Sequence, residues 1–251
     1  MKLKQLVQMI VGVFVSGTGC SEQSGAPAPQ DVTSSDQLKA CTPEDAAEYF
    51  RKAEAGDAAA QHVVGLLCMA GRHVRQSYED AAEWYRKAAE QGYAKAQCNL
   101  GRCYVSGRGV EKNLKEAARL FRAAADQGYA DAQSNLGVCY GNGLGVEKNP
   151  EEAVRWFLKA AEQGNADAQF NLSVCYENGR GVEKNEAEAL KWYHSAAELG
   201  NVNAQFNLGA RYYTGRGVEK NEAEAVKWLR KAAQQGNEYA QAALREMGET
   251  W

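Results

Sequence analysis

Residues 94–129 read AKAQCNLGRCYVSGRGVEKNLKEAARLFRAAADQGY, and this 36-residue unit recurs along the chain with a constant period. The dipeptide Ala-Gln marks the period, because its alanine stands at positions 60, 96, 132, 168, 204 and 240. The units from residue 94 to residue 237 also share a leucine, a tyrosine, two loop glycines and the tetrapeptide Val-Glu-Lys-Asn. A fixed period of this length predicts a repeat protein in which each unit packs only on its neighbours.

Each unit predicts two helices joined by a glycine-containing loop. Helix A covers about residues 94–106, where alanine, leucine and tyrosine recur at every fourth position. Gly107 ends this helix, because glycine accepts the left-handed backbone of a helix C-terminus. Asn113 then predicts the N-cap of helix B, with Glu116 completing a capping box. Helix B covers about residues 114–126. The fold class is therefore all-α, an α-solenoid of helix-turn-helix repeats.

The period also predicts the domain organisation. Residues 41–251 form the repeat domain, with a lone helix B at the beginning and a lone helix A at the end as caps. The predicted ranges are 43–57 for the N-terminal cap, 58–93, 94–129, 130–165, 166–201 and 202–237 for the repeats, and 238–251 for the C-terminal cap.

The first nineteen residues have the features of a targeting segment. Lys2 and Lys4 precede an apolar stretch, residues 6–15, that is too short to span a bilayer. The small residues that end at Cys20 resemble a bacterial lipobox, which predicts a lipoprotein signal peptide over residues 1–19 and lipid attachment at Cys20. Ordinary secretion with cleavage nearby is the alternative. Residues 20–40 are predicted to be a flexible tether, because they hold few bulky apolar residues.

Charge argues against a nucleic-acid partner. The formal net charge is −3, and the chain contains no block of basic residues. Binding to a phosphate backbone requires clustered lysines and arginines. We therefore expect no nucleic acid among the partners, and contact with a membrane only through the lipid anchor.

Residues 94–129 resemble the Sel-one-like repeat (SLR), a relative of the tetratricopeptide repeat, and the resemblance covers about residues 43–247. It implies a right-handed superhelix with a concave groove. It also implies a role as an adaptor that assembles other proteins, including envelope and signalling partners in bacteria. The first repeat departs from the pattern at Val63, Cys68 and His73, where the other repeats have asparagine, tyrosine and the second loop glycine.

Comparing the repeats with one another suggests where a partner binds. Three positions of helix A differ from unit to unit, and their i, i+4, i+7 spacing puts them on one helix face. Aromatic residues at such positions are typical binding hot spots. The alternative is an ordinary solvent-exposed surface. The predicted groove residues are Arg102, Asn135, Phe170, Val174, Phe206 and Tyr213.

An asparagine recurs beside this face in four units, at Asn99, Asn135, Asn171 and Asn207. A row of amides could hydrogen-bond a peptide backbone. We favour the alternative, in which these amides form structural bonds between neighbouring hairpins.

Cysteines and histidines offer no metal site in the sequence. Cys103, Cys139 and Cys175 share one repeat position and are predicted to be small core residues. A disulfide between Cys41 and Cys68 is possible in an oxidising compartment. The three histidines stand at different repeat positions, so no metal site and no cofactor are predicted.

No catalytic motif is present in the sequence. Neither the S-x-x-K and K-T-G pair of penicillin-recognising enzymes nor a P-loop or H-E-x-x-H occurs. We therefore predict an exported, non-enzymatic scaffold of the bacterial envelope that binds a protein or peptide in its groove. Two alternatives remain. One is a β-lactam or cell-wall hydrolase like the cysteine-rich relatives, which carry paired cysteines in each unit; the other is a secreted effector that acts on a host.

Overall fold

The computed structural model of the protein describes residues 41–251. The predicted signal peptide, the predicted tether and the predicted lipid site at Cys20 lie outside the described residues. Within 41–251 the regular structure is entirely helical, which confirms the all-α repeat fold. The helices are α1 (Pro43–Glu54), α2 (Ala58–Ala70), α3 (Tyr78–Glu90), α4 (Ala94–Ser106), α5 (Leu114–Ala125), α6 (Ala130–Asn142), α7 (Pro150–Glu162), α8 (Ala166–Asn178), α9 (Glu186–Glu198), α10 (Val202–Thr214), α11 (Glu222–Gln234) and α12 (Glu238–Glu246).

Even-numbered helices are the predicted A helices and odd-numbered helices are the predicted B helices. The chain divides into two compact units at the boundary between Asn149 and Pro150, with α1–α6 in one and α7–α12 in the other. Within each unit, every helix packs against the next one in the chain. None of the helices between residues 41 and 251 is long and apolar enough to cross a membrane.

The helix ends follow the local sequence signals. Helix α4 has the predicted range, and Gly107 caps it with a left-handed φ of 70°. Asn113 caps α5 as predicted, because its side chain accepts a hydrogen bond from the Glu116 amide at 3.1 Å. The second half of the predicted capping box is not formed. The Glu116 carboxylate binds Arg119 instead. The backbone N–H of Asn113 donates to the Tyr104 carbonyl.

Small residues allow the A and B helices to approach closely. Ala96, Ala117 and Ala124 are fully buried, and the Phe121 ring is 2% exposed. A Cβ atom at Gly101 would lie 2.7 Å from this ring, so the helix pair packs across a glycine. Small and aromatic residues alternate in this way, so the two helices of a repeat pack closely.

The second loop glycine is required by a close backbone contact. Gly109 has φ of 71°, and a Cβ atom there would overlap the Tyr78 carbonyl at the beginning of α3. His73 takes this place in the first repeat and still adopts a left-handed φ of 59°. Its Nε2 lies 2.8 Å from the Cys41 carbonyl oxygen. The loop geometry therefore survives the substitution, although non-glycine residues rarely adopt this conformation.

Candidate partner-binding surface

Five of the six residues predicted to contact a partner are half-exposed on A helices. Arg102 and Asn135 lie on α4 and α6 of the unit formed by residues 41–149. Phe170 and Val174 lie on α8, and Tyr213 lies on α10, in the unit formed by residues 150–251. We call these five residues the A-helix face. Apart from Asn135, which recurs as asparagine in four repeats, these residues occupy positions that differ from repeat to repeat.

Phe206 does not belong to this face. Its side chain is 2% exposed and lies in a core cluster with Leu229 and Leu244, with its ring 6.2 Å from that of Tyr239. Cys98, at the equivalent position of α4, is 1% exposed. Phe170 holds the same repeat position in α8 but is half-exposed, so burial at this position differs between repeats, and the prediction of Phe206 as a contact residue is wrong.

Phe170 and Val174 offer only part of their side chains to solvent. Both pack against a core cluster that contains Tyr193 and Leu208. The rings of Phe170 and Tyr193 meet edge to face with their centroids 6.0 Å apart. The packing fixes the Phe170 ring, so this part of the face is preorganised.

Tyr213, near the end of α10, lies beside a lysine of the loop that follows this helix. The Lys220 ammonium is 5.6 Å from the centre of the Tyr213 ring. Lys220 also donates to Glu222 at 2.8 Å, and this hydrogen bond raises the pKa of Lys220. The aromatic ring is thus presented together with a cation that stays charged at neutral pH.

The recurring asparagines bond between neighbouring hairpins in two of the four repeats that carry them. Asn99 Nδ2 lies 3.0 Å from His62 Nε2, and Asn135 Nδ2 lies 3.7 Å from Cys98 Sγ, so both bridge adjacent A helices. Asn207 donates to the Asn203 carbonyl of its own helix at 2.8 Å. The favoured interpretation, in which the amides bond between neighbouring hairpins, therefore agrees with the contacts of Asn99 and Asn135.

A buried ion-pair network in residues 150–251 escaped the sequence prediction. Glu177 on α8 accepts hydrogen bonds from Arg211 Nη2 at 2.6 Å and from the Tyr193 hydroxyl at 2.7 Å. Arg216 Nη2 lies 3.0 Å from the same carboxylate, and the Arg211 guanidinium stacks 4.9 Å from the Tyr193 ring centre. Burial, followed by the charge of Glu177, raises the pKa of Tyr193 far above its ordinary value. The hydroxyl therefore stays protonated and donates to the carboxylate.

A signal for this network exists in the sequence. Arg211 stands where three earlier repeats have the cysteine of the core position, and an acid, Glu177, lies 34 residues before it. Gly217 reflects the larger side chain: an added Cβ would meet Arg211 Nη1 and Glu186 Oε1 at 3.2 Å, whereas at Gly181 it would meet the Pro150 carbonyl. In the last repeat, the Arg211 and Glu186 side chains therefore lie next to Gly217, where the equivalent loop glycine Gly181 lies against the backbone at the start of α7.

The six cysteines between residues 41 and 251 are free thiols. Cys41 packs with Leu67, whereas Cys68 belongs to a different cluster that contains Tyr85. The possible disulfide between Cys41 and Cys68 is therefore not formed in this structure.

The cysteines at the shared repeat position behave as core residues. Cys103 and Cys139 are 3% and 2% exposed, and Cys175 is half-buried. Burial raises the pKa of each of these three thiols to about 11. They are consequently protonated at neutral pH and are poor nucleophiles or metal ligands.

The histidines occupy separate structural positions. His62 is buried against Tyr93 with ring centroids 5.4 Å apart, and His194 lies half-buried between Tyr212 and Trp228. Among residues 41–251, no group of three or more His, Cys, Asp or Glu side chains is placed to hold a metal ion.

A cleft of about 600 Å³ lies between α3 and the loop that follows α4. Its lining combines acidic groups with basic ones and a single aromatic ring, from Glu79, Glu83, Arg86, Tyr104 and residues 109–113. This mixture makes the cleft a polar surface rather than the apolar pocket that typically encloses a small ligand.

Comparisons with known proteins identify the repeats. The family model described as "Sel1 repeat" matches five consecutive segments, residues 58–93, 94–129, 130–165, 166–201 and 202–237. No match is found among curated protein sequences.

Several solved structures resemble the chain. A Sel1 repeat protein from Oxalobacter formigenes is 33% identical with a TM-score of 0.76, over 85% of this chain and 87% of that protein. The protective antigen c5321 of uropathogenic Escherichia coli, which displays an SLR fold, is also 33% identical, with a TM-score of 0.71, over 98% of this chain and 51% of that protein. The immunity protein Pa5087 from Pseudomonas aeruginosa is 28% identical with a TM-score of 0.52, over 84% of this chain and 72% of that protein.

Proposed function

Because the chain belongs to the Sel1 repeat family, whose members generally act as scaffolds for protein–protein interaction, we propose that it is a non-enzymatic scaffold that binds a protein or peptide on the A-helix face. The proposal includes a place in the bacterial envelope, with the chain exported and held at a membrane by lipid on Cys20.

The choice of surface rests on a comparison of the half-exposed A-helix positions between repeats. The contacts that stack the hairpins recur from repeat to repeat, but the half-exposed A-helix positions change. Arg102 and Val174 occupy the same repeat position, two repeats apart, and Tyr213 stands where the second repeat has Val105. A constant frame that carries variable, half-exposed side chains favours recognition of a specific partner.

The half-exposed residues have the chemistry of a protein interface. Tyr213 and Phe170 are aromatic and Arg102 is a guanidinium, and these residue classes are enriched at binding hot spots. The packing of Phe170 on Tyr193 reduces the conformational entropy that would be lost on binding.

Site-specific photo-crosslinking in cells tests the surface. Probe residues replace Val174 on α8 and Arg102 on α4, with Lys191 on α9 and Arg119 on α5 as exposed B-helix controls. We expect a discrete adduct from at least one A-helix probe and none from the controls. Adducts of equal yield from both helix types, or from the controls alone, would contradict the proposed surface.

Acylation at Cys20 is tested separately. We expect the wild-type chain to incorporate a radiolabelled fatty acid and to sediment with membranes, and the Cys20→Ala variant to do neither. A mature N-terminus without an acyl chain, or wild-type protein in the culture medium, would contradict the anchor and favour a secreted role.

A further inference from the structure

The cleft between α3 and the loop that follows α4 is lined by more acidic than basic groups. Glu79, Glu83 and Arg86 follow one another at i, i+4 and i+7, so they lie on one face of α3. Glu111 and Lys112 complete the charged lining from the loop, which makes three acids and two bases. The equivalent positions of the second repeat hold one acid and four bases: Lys115, Arg119, Arg122, Glu147 and Lys148. None of the next three repeats has an acidic excess at these positions.

The acidic excess arises because Glu83 replaces a cation. In each of the other four repeats, an acid near the beginning of the B helix pairs with a base three residues later. These pairs are Glu116–Arg119 at 2.6 Å, Glu152–Arg155 at 3.3 Å, Glu188–Lys191 at 3.6 Å and Glu224–Lys227 at 3.1 Å. The first repeat has Asp80 and Glu83 at the two positions, so a second carboxylate takes the place of the base.

The two glutamates of the cleft are not paired with a base. Their side chains are exposed, and within residues 41–251 neither takes part in a hydrogen bond or an ion pair. Glu79 and Glu83 lie one helical turn apart, so their negative charges repel each other. A cation bound between them would relieve this repulsion. The cleft therefore favours a cationic group over a neutral or anionic one.

The second repeat shows how a guanidinium group is bound at the equivalent positions. Arg119 donates to the Glu116 carboxylate through Nε at 2.9 Å and through Nη2 at 2.6 Å. Arg122 donates to the Tyr140 hydroxyl, and its guanidinium carbon lies 5.4 Å from the centre of that ring. Tyr104 holds the position of Tyr140 and lines the cleft. The planar guanidinium of arginine matches this combination of carboxylate and aromatic ring better than the ammonium of lysine does.

The walls of the cleft are held together by a backbone contact. A Cβ atom at Gly109 would overlap the Tyr78 carbonyl, so the loop lies directly against the beginning of α3. The cleft has a volume of about 600 Å³, but its glutamates are exposed rather than enclosed. An open cleft of this kind fits a side chain presented by a protein surface, because the surrounding surface of the partner shields the ion pair from water.

We propose that this cleft binds an arginine side chain of a protein partner. Glu79 and Glu83 receive the guanidinium group, and Tyr104 contacts it from the side of α4. Arg86 and Lys112 lie on the same walls and repel a second cation, so the cleft selects a single arginine rather than a polybasic stretch. The inference is independent of the A-helix face, none of whose residues lines this cleft.

A nuclear magnetic resonance titration with two matched peptides tests the cleft. The probe is acetyl-Ala-Arg-Ala-amide, and the control peptide replaces arginine by citrulline, which has nearly the same shape but no charge. We expect saturable chemical-shift changes at the backbone amides of residues 79–86 and 104–113. The citrulline peptide should bind about ten-fold more weakly. Because the glutamates are exposed, the affinity for the arginine peptide should fall as salt is added.

Two charge-reversal variants complete the test. Glu83→Arg introduces the residue type that Arg119 provides in the second repeat, so the fold should persist and binding should be lost. Glu162→Arg changes the net charge equally at an exposed position at the end of α7, and it should leave the affinity unchanged. Equal affinity for the arginine and citrulline peptides would overturn the proposal. So would unchanged binding by Glu83→Arg, an equal loss in both variants, or shift changes spread over the whole chain.

Discussion

Glu177 and Arg211 form a buried ion pair between adjacent A helices, with Oε1 and Nη2 2.6 Å apart and the side chains 6% and 5% exposed. Val105 and Cys139 hold the equivalent places two repeats earlier, so the frame also tolerates an apolar pair there. Removing one partner of a buried pair is costly, whereas replacing both partners by apolar residues is often neutral. The pair therefore suits a double-mutant test.

We predict that Arg211→Cys destabilises residues 150–251 by about 2–4 kcal/mol, because Glu177 stays buried with only Arg216 and Tyr193 as partners. The double variant Glu177→Val with Arg211→Cys should recover most of this loss. Urea unfolding under reducing conditions measures both. A double variant that is as unstable as the sum of the two single variants would contradict the coupling.

Protonation of His194 is predicted to destabilise the fold. Burial lowers the pKa of His194 below its ordinary value of 6.5, against a smaller opposing effect of Glu198 and Glu224. The unfolded chain therefore binds the proton more readily than the folded chain. The contribution of this group to stability is complete above pH 6.5 and declines as the pH falls below that value.

The His194→Leu variant isolates this effect, since Leu158 occupies the same position in the preceding repeat. Thermal unfolding of both proteins between pH 5 and pH 8 should give melting temperatures that diverge below about pH 6.5, with the wild type losing more. A constant difference across the range would show that His194 does not titrate between the folded and unfolded states.

Core thiols are predicted to be unreactive in the folded protein. The pKa of Cys103 and that of Cys139 are raised to about 11 by burial, so at pH 8 few thiolates form and the sulfur atoms are covered. Iodoacetamide labelling followed by mass spectrometry should leave both residues unmodified in the native protein and modify both in urea. Rapid labelling without denaturant would contradict the close packing at this repeat position.

The sequence predicted the fold well because its signals are local and repeated. The Ala-Gln period, the Gly107 terminator and the Asn113 N-cap each specify one backbone feature, and five copies confirm one another. The His73 loop shows the limit of this reasoning. Its left-handed φ could not be anticipated, because histidine lacks the freedom of glycine and the contact of its side chain with the Cys41 carbonyl joins residues that are distant in the sequence.

The candidate surface was harder to predict, because variation between repeats does not imply exposure. Cys98 and Phe206 vary, yet both are buried. The Glu177–Arg211 pair joins a position that differs in every repeat to a position that is cysteine in the three preceding repeats, so no period marks the pair. Long-range pairing of single residues requires three-dimensional packing, whereas helix length and capping do not.

The most direct test of the proposed function is the affinity of a partner, identified by crosslinking, for two matched triple variants. One variant removes the A-helix side chains through Arg102→Ala, Val174→Ala and Tyr213→Ala. The other removes exposed B-helix side chains through Arg119→Ala, Leu158→Ala and Lys191→Ala. Circular dichroism establishes that both are folded. Calorimetric titration should show binding weakened by more than about 30-fold for the first variant and by less than about two-fold for the second. Unchanged affinity for the first variant, or a greater loss for the second, would contradict recognition through the A-helix face.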